Sequence, residues 1–231
     1  MKNAIIAAAV LSSLAGAANA QVFYNWDTQT GSRYNPASAT TVAFDDAFIS
    51  NTLLGGNTAI TLDTVTVGIR RTAAAPATDV SIWAAPMIGT DLTTPGAVGT
   101  PVLLGTVSLA ARAGTGFVTE LVSVNSTVTM ALNSLIAGAT PNFSGLFIGV
   151  QLSNISTENG WRIVSGGTVG SNFTDRFYTY NTVTQLPAGP VAFAPGTPSA
   201  FMVSITGTAV PTPGAAALLG LGGLAAFRRR R

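Results

Sequence analysis

Carboxylates are the side chains in this sequence that could carry acid–base or nucleophilic chemistry. The chain has no His and no Cys, and its single lysine is Lys2. A Ser-His-Asp triad, a Cys nucleophile, a Schiff-base lysine and a typical zinc site are therefore excluded. The acids that remain are Asp27, Asp45, Asp46, Asp63, Asp79, Asp91, Glu120, Glu158 and Asp175.

Paired acids would suit a glycoside hydrolase or lyase. No spacing singles out a pair in this chain, and most of the acids stand beside Asn, Thr or Gly, as they do in turns. We therefore expect a protein that is not an enzyme and has no catalytic residues, cofactor or metal. A carboxylate-based glycoside hydrolase or lyase is kept as an alternative.

Asp45 and Asp46 follow the strand-like stretch TTVAF and could give oxygen ligands to Ca²⁺. A calcium site needs about six to eight oxygens, and no D-x-D-x-D-G spacing surrounds this pair. The sequence favours a strand-terminating turn here over a calcium site.

Aromatic residues cluster in QVFYNW and DRFYTY, and planar rings of this kind can bind the faces of sugars. The candidate glycan contacts are Trp26, Tyr178 and Tyr180. In a strand, Tyr178 and Tyr180 share the face opposite Phe177. Packing against a neighbouring strand is the competing interpretation, so a glycan- or exopolysaccharide-binding module is the other alternative function.

Charge argues against a nucleic-acid partner. Residues 21–209 hold six arginines against nine acids, a net charge of −3, and no lysine. Phosphate binding needs clustered basic residues on the folded surface. Arg70 and Arg71 are the one basic pair of this segment, and we expect them at a solvated strand end.

Short apolar alternations rich in Thr and Val predict an all-β fold over residues 21–209. Roughly eight to ten strands at this spacing are typical of a single antiparallel β-sandwich, and a jelly roll is the topology considered. In ITLDTVTVGIRR the alternation changes parity near Asp63, which predicts a bulge. We expect the face from Val65 to Ile69 to be buried.

Further strands are predicted at DVSIWAAP, GLFIGVQL and SAFMVSITGTA, with shorter ones at 102–109, 116–124, 161–165 and 176–180. One stretch, TVTMALNSLIAGATP, also suits a short helix or turn, because Met130, Leu132, Leu135 and Ile136 form an apolar stripe. Residues 85–101 and 186–199 are expected to be long loops.

The N-terminus has the layout of a secretory signal peptide. Lys2 precedes an apolar stretch, and Ala18-Asn19-Ala20 forms a small-x-small site before Gln21. We expect signal peptidase to remove residues 1–20 during export.

The C-terminus, residues 210–231, combines three parts: Val210-Pro211-Thr212-Pro213, an uncharged segment over 214–227, and Arg228, Arg229, Arg230 and Arg231. As a helix, the uncharged segment is about 21 Å long, short against a hydrocarbon core of about 30 Å. The arginines would stay on the cytoplasmic side.

This layout resembles the PEP-CTERM sorting signal of exported bacterial proteins, with Thr212 where that family usually has Glu. The resemblance implies transient insertion of a transmembrane helix in the inner membrane. It also implies processing by an exosortase-like protease near Pro211 and Pro213, and delivery to the cell surface or extracellular matrix. Many such proteins occur in bacteria that make exopolysaccharide, which is therefore an expected partner.

Overall fold

The described part of the chain consists mostly of β-strands, as its Thr- and Val-rich alternation predicts. A computed structural model describes residues 20–89, 91–134, 142–171, 176–193 and 199–211. These residues contain one short helix, α1 (Asn51–Leu54), and a 3₁₀ turn at Pro95–Ala97. The strands are β1 (Gln21–Trp26), β2 (Gln29–Tyr34), β3 (Thr41–Ser50), β4 (Ala59–Arg71), β5 (Thr78–Pro86), β6 (Val102–Leu109), β7 (Val118–Asn125), β8 (Thr129–Ala131), β9 (Phe143–Leu152), β10 (Asn159–Val164), β11 (Gly167–Val169), β12 (Arg176–Asn181), β13 (Leu186–Ala192), β14 (Ala200–Phe201) and β15 (Val203–Ala209).

Two antiparallel sheets make up an all-β sandwich. The first has nine strands: its main path is β11-β1-β15-β4-β10-β14, while β7 and β8 pair with β4 and β2 pairs with β10. The second has six strands in the order β13-β12-β3-β9-β5-β6. Their inner faces form one apolar core, in which alternate residues of each strand interlock.

The register slip predicted in β4 is confirmed. Thr206 pairs with Thr64 and Gly207 pairs with Leu62, so Asp63 is the extra residue of a bulge. The bulge turns the strand so that apolar residues on both sides of it face inward. The fully buried residues are Ile60, Leu62, Val65, Val67 and Ile69.

The other strong alternations are also confirmed as strands with a buried face. Val80 and Ile82 lie in the core from β5. The inward residues of β9 and of β14–β15 are Leu146, Ile148, Val150, Leu152, Phe201, Val203 and Ile205.

The outer face of the six-stranded sheet is covered by the segment 87–98, which follows β5. A second apolar cluster lies between this segment and the sheet. As a result, eight consecutive residues of β3 are buried, on both of its faces. The buried members of this outer cluster are Val42, Phe44, Phe48, Ala85, Met87, Leu92, Ala97, Val98, Phe147 and Tyr178.

Three local predictions are corrected. Asp45 and Asp46 lie in the middle of β3 rather than in a turn at its end. Residues 186–192 form strand β13, paired with β12, rather than a loop. Thr129–Ala131 is strand β8, paired with β4, which supplies Met130 to the core where a helix was considered. The remainder of that apolar stripe, Leu135 and Ile136, lies outside the described residues.

Within the described ranges, no helix has the length and apolar character needed to cross a membrane. The segment 214–227, which the sequence suggests as a short transmembrane helix, lies outside them.

Candidate functional site

Three arginines from three strands come together on the outer face of the nine-stranded sheet. Arg162 of β10 stands opposite Arg33 of β2, and Gly160 of β10 stands opposite Arg70 of β4. Between these positions, Trp161 is buried in the core. Because side chains alternate along a strand, the three arginines point away from the core.

The ring of Phe117 lies against this cluster, just before β7 begins. Cζ of Arg70 is 3.9 Å from the ring centroid, and Cζ of Arg33 is 5.6 Å from it. Both distances fit cation–π contacts. The Phe117 residue nevertheless remains 58% exposed. We call Arg33, Arg70, Arg162 and Phe117 the arginine site.

The described part of the chain supplies no ion-pair partner for the three positive charges of the arginine site. None of these arginines forms an ion pair with another residue of the described chain. Their Nε atoms are buried and donate no hydrogen bond. Arg71, on the opposite face of β4, differs in both respects, because it donates from Nε to Asn159 and forms an ion pair with Glu120 at 3.0 Å.

Burial, and then the neighbouring like charge, affect the ionisation of two of these groups. Burial is the main cause that lowers the pKa of Arg70, and the charge of Arg33 lowers it further. Burial, and then the charge of Arg70, lower the pKa of Arg162. Because arginine remains protonated in proteins, the site keeps three positive charges, and a bound anion would relieve their repulsion.

Neighbouring residues hold the site in position, and Arg162 within it is only 7% exposed. Arg112 Nη1 donates to the carbonyl of Gly116 at 3.0 Å, which fixes the turn before Phe117. Gly160 leaves space for the Arg33 side chain, since a Cβ at position 160 would lie 2.8 Å from Arg33 Cδ. Arg33 Nη2 itself donates to the carbonyl of Thr157.

Rows of hydroxyl and amide groups lie farther along the same outer face, separated from Arg70 by Gly68 and the exposed Leu121. Thr66 Oγ1 and Ser123 Oγ are 2.7 Å apart, and Thr64 Oγ1 donates to Asn125 Oδ1 at 3.1 Å. These residues alternate with the buried valines of β4 and β7, so they face outward. We call this surface the hydroxyl rows.

A carboxylate marks the far end of the hydroxyl rows. Asp63, at the bulge, accepts a hydrogen bond from Thr208 Oγ1 at 2.9 Å. Beyond it, Thr61 and Thr129 of β4 and β8 join their hydroxyls at 2.9 Å. The outer face of the sheet therefore runs from a positive end to a neutral middle and a negative residue.

The aromatic candidates do not form a common binding surface. Tyr178 is fully buried: its hydroxyl donates to the Leu92 carbonyl, and its ring packs on Phe147 at 5.0 Å. Tyr178 is therefore corrected from a glycan contact to a core residue. Tyr180 is half-buried against Phe44, and Trp26 is half-buried against Tyr24 at the opposite side of the sandwich.

The acid candidates are scattered. Asp45 accepts the backbone N–H of Phe201 at 2.6 Å in the core, whereas Asp46 belongs to the outer face of β3. Over the described segments, no three acids are grouped so that they could hold a metal ion. The remaining described acids bond within the protein: Asp27 with Asn25, Asp63 with Thr208, Asp79 with Ser108, Asp91 with Thr93, Glu120 with Arg71 and Glu158 with Thr72. Asp175 lies outside the described residues.

The residues predicted for export are described only where they join the sandwich. Ala20 and Gln21 begin the described chain, and Gln21 opens β1. At the other end, Val210 N donates to the Ala59 carbonyl at 2.9 Å, and Pro211 is exposed. The other predicted residues, Ala18, Thr212, Pro213, Arg228, Arg229, Arg230 and Arg231, lie outside the described residues.

Sequence reasoning missed the arginine site. Arg70 and Arg71 were expected together at a solvated strand end, but Arg71 is 2% exposed. Arg33 and Arg162 are far apart in the chain and meet only through the pairing of β2 with β10. The usable signal was the parity of Arg70, which places it on the face of β4 opposite the buried Val65, Val67 and Ile69.

Comparisons with known proteins place the chain in no family. No protein-family model and no curated protein matches it. Among solved structures it is similar to the chain of infectious bursal virus derived T=1 particles, with 18% identity, a TM-score of 0.24, and coverage of 86% of this chain and 41% of that chain. A mutant VP2 protein of infectious bursal disease virus, also as T=1 particles, gives 17% identity and a TM-score of 0.23. The chain covers about two fifths of the length of these viral chains.

Proposed function

We propose that the chain is an exported, non-enzymatic protein of the bacterial cell surface or extracellular matrix. The observation that carries the proposal is the junction between sandwich and tail. Strand β15 ends at Ala209, and Val210 is still hydrogen-bonded to the sheet. The tail 210–231 therefore follows the folded body directly, with exposed Pro211 as its first free residue.

The proposed route uses both ends of the chain. Signal peptidase cleaves after Ala20, and the segment 214–227 is held transiently in the inner membrane by the cytoplasmic arginines 228–231. An exosortase-like protease then cleaves near Pro211–Pro213 and releases or attaches the sandwich outside the inner membrane. The PEP-CTERM resemblance of the tail supports this order of events.

The residue inventory supports a role other than catalysis. The chain lacks His and Cys, and its one lysine falls in the segment removed by signal peptidase. Paired-carboxylate hydrolysis needs two acids about 5 to 9.5 Å apart across one groove. Asp45 and Asp46, the adjacent acids, are on opposite faces of β3 and buried.

We also infer a jelly-roll connection of the sandwich. Eight principal strands are β1, β3, β4, β5, β6, β7, β9 and β15. Strand β1 pairs with β15, β3 with β9, β4 with β7 and β5 with β6, so the pairs are nested along the chain. This nested pairing is that of one long hairpin rolled into two sheets, which supports the jelly roll.

Intact-mass measurement of the protein from an exosortase-bearing host tests the route. We expect mature material to begin at Gln21 and to end near Pro211–Pro213. Replacing Arg228–Arg231 by glutamines should leave the tail unprocessed, whereas Arg176→Gln, an exposed arginine of the sandwich, should not. Mature protein that retains residues 228–231 would show that the tail is a permanent anchor, and material retaining residues 1–20 would overturn export.

A further inference from the structure

We propose that the arginine site binds a carboxylate of an acidic carbohydrate chain, whose neutral sugars lie along the hydroxyl rows. This goes beyond the proposed function, because such binding does not depend on how either end of the chain is processed. The occupant is argued from three features: the positive charge of three arginines, an exposed ring, and the neutral surface beside them.

The first feature is the positive charge of the three arginines. Guanidinium groups match carboxylates in shape and form paired, charge-assisted hydrogen bonds with them. Arg71 shows such an arrangement satisfied within the protein, since its Nη1 reaches both carboxylate oxygens of Glu120, at 3.0 and 3.2 Å. Arg33, Arg70 and Arg162 offer the same chemistry, and no acid among the described residues lies within ion-pair distance of them.

The exposed ring favours a ligand with an apolar face. Phe117 is held by its contacts with Arg33 and Arg70, yet more than half of it reaches solvent. A free inorganic anion would gain nothing from this ring. A sugar ring can place its C–H face on Phe117 while its carboxylate meets the guanidinium groups.

The surface beside the arginine site favours a ligand whose negative charges are isolated, not one that is charged along its whole length. Thr119 of β7 stands opposite Arg70, and Gly68 and the exposed Leu121 are the next outward pair. Beyond them lie the neutral hydroxyls and amide of Thr66, Ser123, Thr64 and Asn125. Asp63 then places a negative charge farther along the same face. A nucleic acid carries a charge at every nucleotide, so it would meet one positive cluster and then a repelling acid. The hydroxyls of a neutral sugar can form hydrogen bonds with the hydroxyl rows.

Calorimetric titration of the purified full-length protein tests the proposal. The probes are a hyaluronan oligosaccharide, in which glucuronate alternates with a neutral sugar, uncharged dextran, and an oligothymidylate. We expect binding of hyaluronan that weakens as salt is added, and no binding of dextran. Hyaluronan should also raise the unfolding temperature of the wild-type protein.

Matched variants assign the binding to the site. Arg70→Gln should weaken hyaluronan binding about tenfold, since a hydrogen bond to a charged group is lost, and Phe117→Ala should weaken it several-fold. The controls Arg176→Gln and Leu186→Ala remove an exposed arginine and an exposed apolar residue from the six-stranded sheet, and they should bind as the wild type does.

Four results would overturn the proposal. One is the absence of hyaluronan binding, and another is equal binding of dextran. The third is a loss of affinity in Arg176→Gln as large as in Arg70→Gln. The fourth is tighter binding of oligothymidylate than of hyaluronan, which would identify a nucleic-acid partner instead. Phe117→Ala removes an exposed ring, so its result stands even if Arg70→Gln fails to fold.

Discussion

Replacement of Arg71 by alanine should destabilise the sandwich severely, although arginine is ordinarily a surface residue. Its side chain is 2% exposed and joins four parts of the chain. Nε donates to Asn159 Oδ1 at 2.9 Å, and Nη2 donates to the carbonyls of Pro76 at 2.9 Å and Ala110 at 2.8 Å. Nη1 holds Glu120 of β7.

The magnitude follows from what the truncation leaves behind. Asn159 is fully buried, so its Oδ1 would lose its donor at a cost of about 1–3 kcal/mol. Glu120 is 32% exposed and can be rehydrated, which limits the cost of its lost ion pair to about 1 kcal/mol. The volume of a buried arginine stem adds a cavity. We expect a total of about 3–5 kcal/mol, the range for breaking a buried ion pair.

Urea unfolding followed by tryptophan fluorescence measures this change, because Trp161 lies next to Asn159 in the core. Arg71→Lys keeps one charge but cannot serve all these acceptors, so its stability should fall between wild type and Arg71→Ala. Arg176→Ala, at an exposed arginine, should change the free energy of unfolding by no more than about 1 kcal/mol, the usual limit for a surface ion pair. An Arg71→Ala protein within 1 kcal/mol of wild type would refute this reasoning.

Three further predictions follow from other parts of the fold. Burial, and then the charge of Asp46, raise the pKa of Tyr178. The neutral side chain therefore contributes its full stabilisation below the ordinary tyrosine pKa of about 10. That contribution is lost as the pH rises further. Tyr178→Phe should flatten the alkaline decline in unfolding temperature, and an unchanged decline would contradict the assignment. In Gly149→Ala, the new Cβ would lie 2.5 Å from Phe44 Cε1, which we expect to cost about 1–3 kcal/mol in urea unfolding. Gly166→Ala, with 3.6 Å to its nearest neighbour, is the control, and equal losses would refute the crowding argument. Deletion of residues 214–231 should preserve cooperative unfolding, because β15 ends at Ala209; its loss would place part of the tail in the fold.

Much of the sandwich could be predicted because its information is local. Alternation with period two marked β4, β5, β9 and β15, and the parity change near Asp63 located the bulge. Strand β13 was missed because its prolines and glycine read as loop, although the strand lies at a sheet edge where proline is tolerated. The burial of both faces of β3 was also missed, since it depends on the segment 87–98 folding over the sheet.

The functional surface was harder to predict than the fold, because it depends on pairing between distant strands. Arg33, Arg70 and Arg162 share a face only through the registers of β2 and β4 with β10. Tyr178 and Tyr180 had the correct relative parity, but sequence alternation does not reveal which face of a sheet another segment covers. Because the sequence has no cysteine, this fold is held without disulfides.

The direction of β4 gives the molecule two unlike ends. Ala209, from which the tail leaves, pairs with Ile60 near the start of β4, while Arg70 stands near its end, about 33 Å away at the rise of an extended strand. Gln21 pairs with Gly207, so the chain also enters at the tail end. Arg33, Arg70, Arg71, Arg112 and Arg162 all gather at the opposite end. A sandwich held at residue 210 would thus turn the end that carries these five arginines, together with Glu120 and Glu158, away from the point of attachment.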